Sequence, residues 1–100
     1  MAEKKLKVVY KPKADKQIYR IMMYINEMGY PETALNFAER LYQFGNSLGF
    51  IPEKFPICRH ERYAKRLLHC AVFEHNYIFI YKTVRSQLVI YNIIHCSRIQ

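Results

Sequence analysis

Acidic residues are scarce in this chain. Eight Asp and Glu stand against sixteen Lys and Arg, a formal charge of +8 over 100 residues with a pI near 9.5. An excess of this size favours an anionic partner, whether nucleic acid, an acidic protein or a membrane surface. Glycine is scarcer still, with three residues, too few for a Gly-rich phosphate loop or a nucleophile elbow, and no H-E-x-x-H occurs. The three cysteines, Cys58, Cys70 and Cys96, cannot all pair within one chain, and no signal-peptide apolar region precedes them. A reducing cytosol is therefore the expected compartment, and small-residue packing the expected role of the thiols. Long apolar runs are missing too. Lys82, Arg85 and Gln87 interrupt the least polar segment, so nothing approaches the roughly 20 residues that span a bilayer, and a soluble, cytoplasmic protein without a membrane partner is expected.

What is present suffices for one core. Apolar residues make up 51% of the chain, which excludes a disordered tail, and the length fits a single domain over residues 1–100. Neither an internal repeat nor a low-complexity tract divides it. Residues 5–10 (KLKVVY) read as a first strand, ended by Pro12. From Lys13 to Met28, the residues Ala14, Ile18, Ile21, Met22, Ile25 and Met28 fall at helical spacing. Gly29 suits a left-handed cap and Pro31 a helical first turn; a second stripe, Ala34, Phe37, Ala38, Leu41, Phe44 and Leu48, then runs to Gly49. So tight a connection predicts an antiparallel helical hairpin. Two prolines and a glycine make residues 49–57 a loop. Three strands are predicted beyond it, at 66–73, 77–84 and 88–96, joined by EHN and RSQ turns. The expected fold is α+β, in the order β-α-α-β-β-β, with the hairpin packed on one face of a small, mainly antiparallel sheet and the first strand at an edge or beside the last.

Two short helices cover one sheet face, yet both faces of the last two strands read as apolar. Tyr77, Phe79 and Tyr81 share one side and Ile78 and Ile80 the other; Leu88, Ile90 and Ile94 alternate with Val89, Tyr91 and Ile93. A half-solvated strand alternates cleanly between apolar and polar. A second apolar face therefore implies a cover, either a separate polypeptide or a loop of the same chain.

The densest charge lies in residues 58–66, CRHERYAKR. Arg59, Arg62, Lys65 and Arg66 with His60 and Tyr63 suit phosphate contact and ring stacking, although a basic stretch before a strand also serves as a solvated edge guard. His95 stands three residues before Arg98. A two-residue turn at Arg85 and Ser86 would set Asn76 opposite His95 and Ile80 opposite Tyr91, gathering His95, Asn76 and Arg98 at one end of the sheet. There an imidazole could exchange protons and a guanidinium hold a phosphate, or the histidine could simply be a hydrogen-bonded packing residue. Cys58, His60, His69, Cys70, His75, His95 and Cys96 match no structural zinc spacing. No metal or other cofactor is expected.

Taken together, the first strand, the segment ADKQIYRIMMYINEMGYPETALNFAERLYQ, the proline-punctuated loop and HNYIFIYKTVRSQLVIYNIIHCSR resemble the RelE/ParE superfamily of bacterial toxins from type II toxin-antitoxin (plasmid stabilisation) systems. The resemblance covers nearly the whole chain. NIIHCSR is similar to the I-x-x-I-x-H-x-x-R ending of ParE-like members, and a G-x-P joins the helices. It implies a small basic toxin held inactive by a cognate antitoxin lying along its apolar surface, for which Ile78, Ile80, Val89, Tyr91 and Ile93 are the expected contacts. It also implies one of two targets, DNA gyrase for ParE-like members or the ribosome with its mRNA for RelE-like ones. As a metal-independent endoribonuclease the chain would use His95 as acid or base and Arg62, Arg66 and Arg98 as phosphate clamps, with Tyr63 or Tyr77 stacking or hydrogen bonding. Asn76 stands where several ribonuclease members carry arginine, which weakens that set. As a gyrase inhibitor it needs no catalytic set; Arg59, Arg62, Tyr63, Lys65, Arg66, Asn76 and Arg98 would be contact surface, and the ending favours this ParE-like reading. A member that has lost toxicity and only binds a partner is a third possibility.

Overall fold

The computed structural model describes residues 5–98, and of Arg98 the backbone alone. The elements are β1 (Lys7–Tyr10), α1 (Pro12–Glu27), α2 (Pro31–Ser47), α3 (Glu61–Ala64), β2 (His69–Phe73), β3 (Tyr77–Val84) and β4 (Gln87–His95), closed by a 3-10 turn at Cys96–Arg98. Pro12 and Pro31 each open a helix, where the fixed φ of proline is already helical and its missing N–H would have had no partner. Gly29 turns the chain between them at φ +95, a conformation that a side chain would disfavour. The expected helical hairpin forms within about a residue of its predicted start and two of its end.

The sheet order is β1-β4-β3-β2, with β1 parallel to β4 and the other pairs antiparallel. This is the expected α+β fold, and the first strand takes the place beside the last. Ala14 and Ile18 of α1 and Leu41 of α2 meet Ala71, Phe79, Tyr81, Leu88, Ile90 and Ile93 of the sheet. Phe44 is the centre of the aromatic part of this core, 5.0 Å from both Phe73 and Phe79 between ring centroids. Its helix comes close to β1 because Gly45 follows: a Cβ there would run into the Tyr10 hydroxyl, which instead is shared between Asn46 Oδ1 at 2.9 Å and the Tyr42 carbonyl at 3.1 Å.

The structure corrects four expectations. The strand expected at 66–73 starts at His69, because Glu61–Ala64 takes up one helical turn and Leu67 a positive φ of 57°. The uniform hairpin register fails midway. Val84↔Gln87 and Tyr81↔Ile90 keep the two-residue turn, but Ile80 pairs with Asn92 and Tyr77 with His95, so Tyr91 is an extra residue in a β-bulge. The bulge inverts the facing of all that follows. Ile93 joins the helix-facing core and is fully buried, while Ile94 goes to the other side. Asn76 therefore lies opposite Cys96 rather than His95, its carbonyl accepting the Cys96 N–H at 2.7 Å.

The third correction concerns the second sheet face. Ile78, Ile80 and Val89 are buried within the chain itself, because the segment before β2 folds over Ile78 and Ile80 and lays Cys58, Leu68 and Tyr63 on them. The cover is the protein's own loop. The loop also guards the sheet edge: the Cys58 N–H donates to the Leu68 carbonyl at 2.8 Å and the Cys70 N–H to the Pro56 carbonyl at 3.1 Å. Outside it Val72 and Val84 stay exposed. Finally, Cys58 and Cys70 are joined as a disulfide, with Cys96 free, so two of the three thiols exceed the packing role expected of them.

Two stability predictions follow from these contacts. The disulfide spans 12 residues, for which loop closure contributes about 3 kcal/mol. Replacing both cysteines by serine lowers the unfolding midpoint by that equivalent, and a reductant lowers the wild type to the same value without moving the variant. The tyrosines predict alkaline sensitivity. Burial pushes the phenols of Tyr81 and Tyr42 up to about 12, from an ordinary 10.0, with the Asp15 carboxylate adding to the shift on Tyr42. Tyr10 is raised further, again mainly by burial. Below pH 10 both folded and unfolded chains keep these protons; above it the unfolded chain releases them first, so stability is lost as pH climbs from about 10 towards 12. Tyrosinate absorbance is expected to rise in two phases, the second coincident with loss of circular dichroism.

Candidate functional site

The two faces of the sheet carry different chemistry. On the face away from the hairpin, α3 holds the basic cluster. His60 caps this single turn, its Nδ1 accepting the Arg62 N–H at 3.2 Å, and Tyr63 and Leu68 root it in the small core beneath. Arg59, Arg62, Lys65 and Arg66 are thereby left in solvent. The Arg66 guanidinium sits 5.2 Å from the ring centre of Tyr91 and the Lys11 ammonium 5.9 Å from the same ring. A cation near an aromatic face gains about 0.5–1 kcal/mol at exposed sites. Two cations on one ring carry the positive field from α3 across the sheet to the start of α1. Glu61, 3.6 Å from Lys65, is the one acid paired with this group among the described residues, and both side chains are largely in solvent.

His95 faces the hairpin. It pairs with Tyr77, whose ring stands edge-on 5.2 Å away at 85°. The Ser97 N–H points at His95 Nδ1 from 3.2 Å and the Ser97 hydroxyl lies 2.9 Å from it. Because a backbone amide can only donate, Nδ1 is the lone-pair nitrogen and Nε2 carries the proton in the neutral ring. The Tyr77 phenol is raised by burial and by the neighbouring Tyr24 hydroxyl, which keeps it a donor. Across from them, Gln17 donates through Nε2 to the Ile93 carbonyl at 3.2 Å, and its Oε1 accepts from Arg20 at 3.4 Å. These side chains line a groove of about 580 Å³ between α1 and the end of the sheet.

The structure thus divides the residues expected to act together. Arg62 and Arg66 belong to the α3 face, His95 to the hairpin face, and the Arg98 side chain lies outside the described residues. Asn76 is exposed in the turn beside Tyr77. Of the expected antitoxin contacts, Ile78, Ile80, Val89 and Ile93 are interior, which leaves Tyr91 partly open. His69 is structural: its Nδ1–H donates to the Phe55 carbonyl at 2.6 Å and its ring stacks on Tyr81. Two participants escaped sequence reasoning. Lys11 reaches Tyr91 only because β1 lies beside β4. The groove-lining set Gln17, Arg20, Ile21 and Tyr24 is one stripe of α1 at three- and four-residue spacing, a signal present in the sequence.

No family model matches the chain, and no curated protein does. Among solved structures, a chain from one described as "Chromosomal ParDE TA system from P. aeruginosa" matches with a TM-score of 0.76 and 12% sequence identity, over 90% of this chain and 95% of that one. The likeness is one of fold: this chain has the α+β architecture of a component of that toxin-antitoxin system. Among the described residues no helix is long and apolar enough to cross a membrane.

The two-faced arrangement predicts separable behaviour towards a polyanion. Replacing Arg62, Lys65 and Arg66 together by alanine is expected to weaken heparin retention and flatten its salt dependence by about three counterions. Replacing His95 by alanine leaves retention at the wild-type salt concentration.

Proposed function

We propose that this protein is the toxin of a bacterial type II toxin-antitoxin system, a cytoplasmic growth inhibitor neutralised by a cognate antitoxin, and that it acts as a ParE-like inhibitor of DNA gyrase. The fold likeness to the ParDE structure over nine-tenths of the chain supports the toxin reading, as does the resemblance of its NIIHCSR ending to ParE-like members. What favours binding over cleavage is the α3 patch, whose Arg62 and Arg66 lie on the opposite sheet face from His95, so that the cleavage set expected from the resemblance is split. An endoribonuclease needs its acid, base and phosphate cations around one scissile bond. A surface that grips a target needs only a continuous basic, aromatic patch, and α3 with Tyr91 and Lys11 is one.

The antitoxin contact moves with the correction to the sheet. Met28, Tyr30 and Leu35, each more than half exposed around the hairpin turn, are apolar side chains available to a partner, and the +8 charge suits an acidic segment.

Expression of the chain in a bacterial host is expected to arrest growth, with relief by the product of an adjacent small reading frame; normal growth at confirmed soluble expression removes the toxin reading. In vitro, purified protein is expected to block supercoiling by gyrase, and Arg62→Ala with Arg66→Ala to abolish the block while His95→Ala retains it. Ribosome-dependent mRNA cuts that vanish in His95→Ala would instead establish the RelE-like alternative.

A further inference from the structure

The groove between α1 and the end of β4 has a lining that the growth-inhibitor reading leaves idle. Its side chains offer donors and rings: the Arg20 guanidinium, the Tyr24 and Tyr77 hydroxyls, and the His95 ring, whose Nδ1 is turned to Ser97 and whose Nε2 holds the proton. Among the described residues no carboxylate lines it. The ion pairs among the described residues are Arg40 with Glu74 and Lys65 with Glu61, so Arg20 has no acidic partner there. One Arg20 nitrogen is steadied by Gln17, itself fixed by the Ile93 carbonyl, which leaves the other guanidinium donors for a ligand. A cleft rich in donors, with its cation uncompensated, is built for an anion. Its aromatic wall indicates what the anion is attached to: Tyr24 is 65% exposed, a planar face available for stacking beside Tyr77.

We propose that this groove binds a single nucleoside phosphate, with the phosphate held by Arg20 and His95 and the base stacked on Tyr24. At about 580 Å³ the groove is in the size range of small-molecule sites. The ligand is either a free nucleotide or the phosphorylated end of a nucleic acid, since both present the same phosphate and base. The site lies on the opposite sheet face from the α3 patch, and what is proposed for it is binding alone.

The test is amide chemical-shift mapping of the full chain with AMP as probe, which is read without reference to growth arrest and so stands or falls apart from the toxin reading. AMP is expected to saturate with a dissociation constant of about 10 µM to 1 mM, shifting amides of residues 17–24, 77 and 93–97 while leaving 59–66 in place. Adenosine and inorganic phosphate, each lacking one half of the ligand, are expected to bind at least about tenfold more weakly. Arg20→Ala and Tyr24→Ala each weaken AMP by about tenfold or more, whereas Arg20→Lys, which keeps the charge and loses the planar fork, recovers part of the affinity and Tyr24→Phe retains most of it. A 5′-phosphorylated trinucleotide binding as well as AMP identifies the strand end as a source; AMP binding alone identifies the free nucleotide. Failure of AMP to saturate by about 10 mM, shifts confined to 59–66, or wild-type affinity in a folded Arg20→Ala variant would each overturn the site.

Discussion

One residue too many in β4 governs the chemistry of this molecule. With Tyr91 bulged, Ile90 and Ile93 both face the helices and His95 follows them; without it, the period of two would turn His95 to the side of α3. Asn92 marks the place, its Oδ1 accepting the neighbouring Ile93 N–H at 2.9 Å inside an otherwise apolar strand. The bulge also lifts Tyr91 out of the ladder and presents its ring to Lys11 and Arg66. A single backbone irregularity thus separates an imidazole from the arginines near it in sequence and gives each a different set of neighbours.

The second constraint is the loop that closes the far face. Tying residue 58 to residue 70 encloses the four basic residues between them, so the same segment that shelters Ile78 and Ile80 is forced to carry its charges outward. Burial of Leu68 and Cys58 is what makes an exposed basic turn possible, since the four-residue α3 makes too few internal hydrogen bonds to persist by itself. Hydrophobic cover and positive surface are two sides of one stretch of chain.

Much of this was legible from pattern alone. The hairpin followed from the spacing of Ala14, Ile18 and Ile21, from Ala34, Phe37 and Leu41, and from a Gly and a Pro placed where helix ends require them. The strands at Tyr77–Val84 and near Leu88 followed from their β-branched and aromatic runs. What escaped was everything decided by a count of one. The bulge has no signature stronger than an asparagine in an apolar strand, and missing it misassigned Ile93 and the partner of Asn76. A loop of the same chain was one of two covers left open for Ile78 and Ile80, but which segment supplies it escaped because residues 66–68 read as the start of a strand, whereas a positive φ at Leu67 turns the chain there. An odd cysteine count argued against a disulfide, yet parity limits how many thiols can pair and leaves two free to do so. The groove was harder still, because it needs α1 and the end of β4 at once, two segments some seventy residues apart.

The pairing of β1 with β4 also bears on how the protein is made. Of the four strands, the inner strand β4 is made last, and its outer neighbour β1 first. Until β4 has been made β1 has nothing to dock against, and the helical hairpin has only part of the surface it is to bury. Contacts this distant in sequence form late and slowly. A nascent or prematurely terminated chain that stops before residue 87 therefore displays neither the groove nor the Tyr91 platform, so any activity resting on them switches on as a unit once β4 has been made.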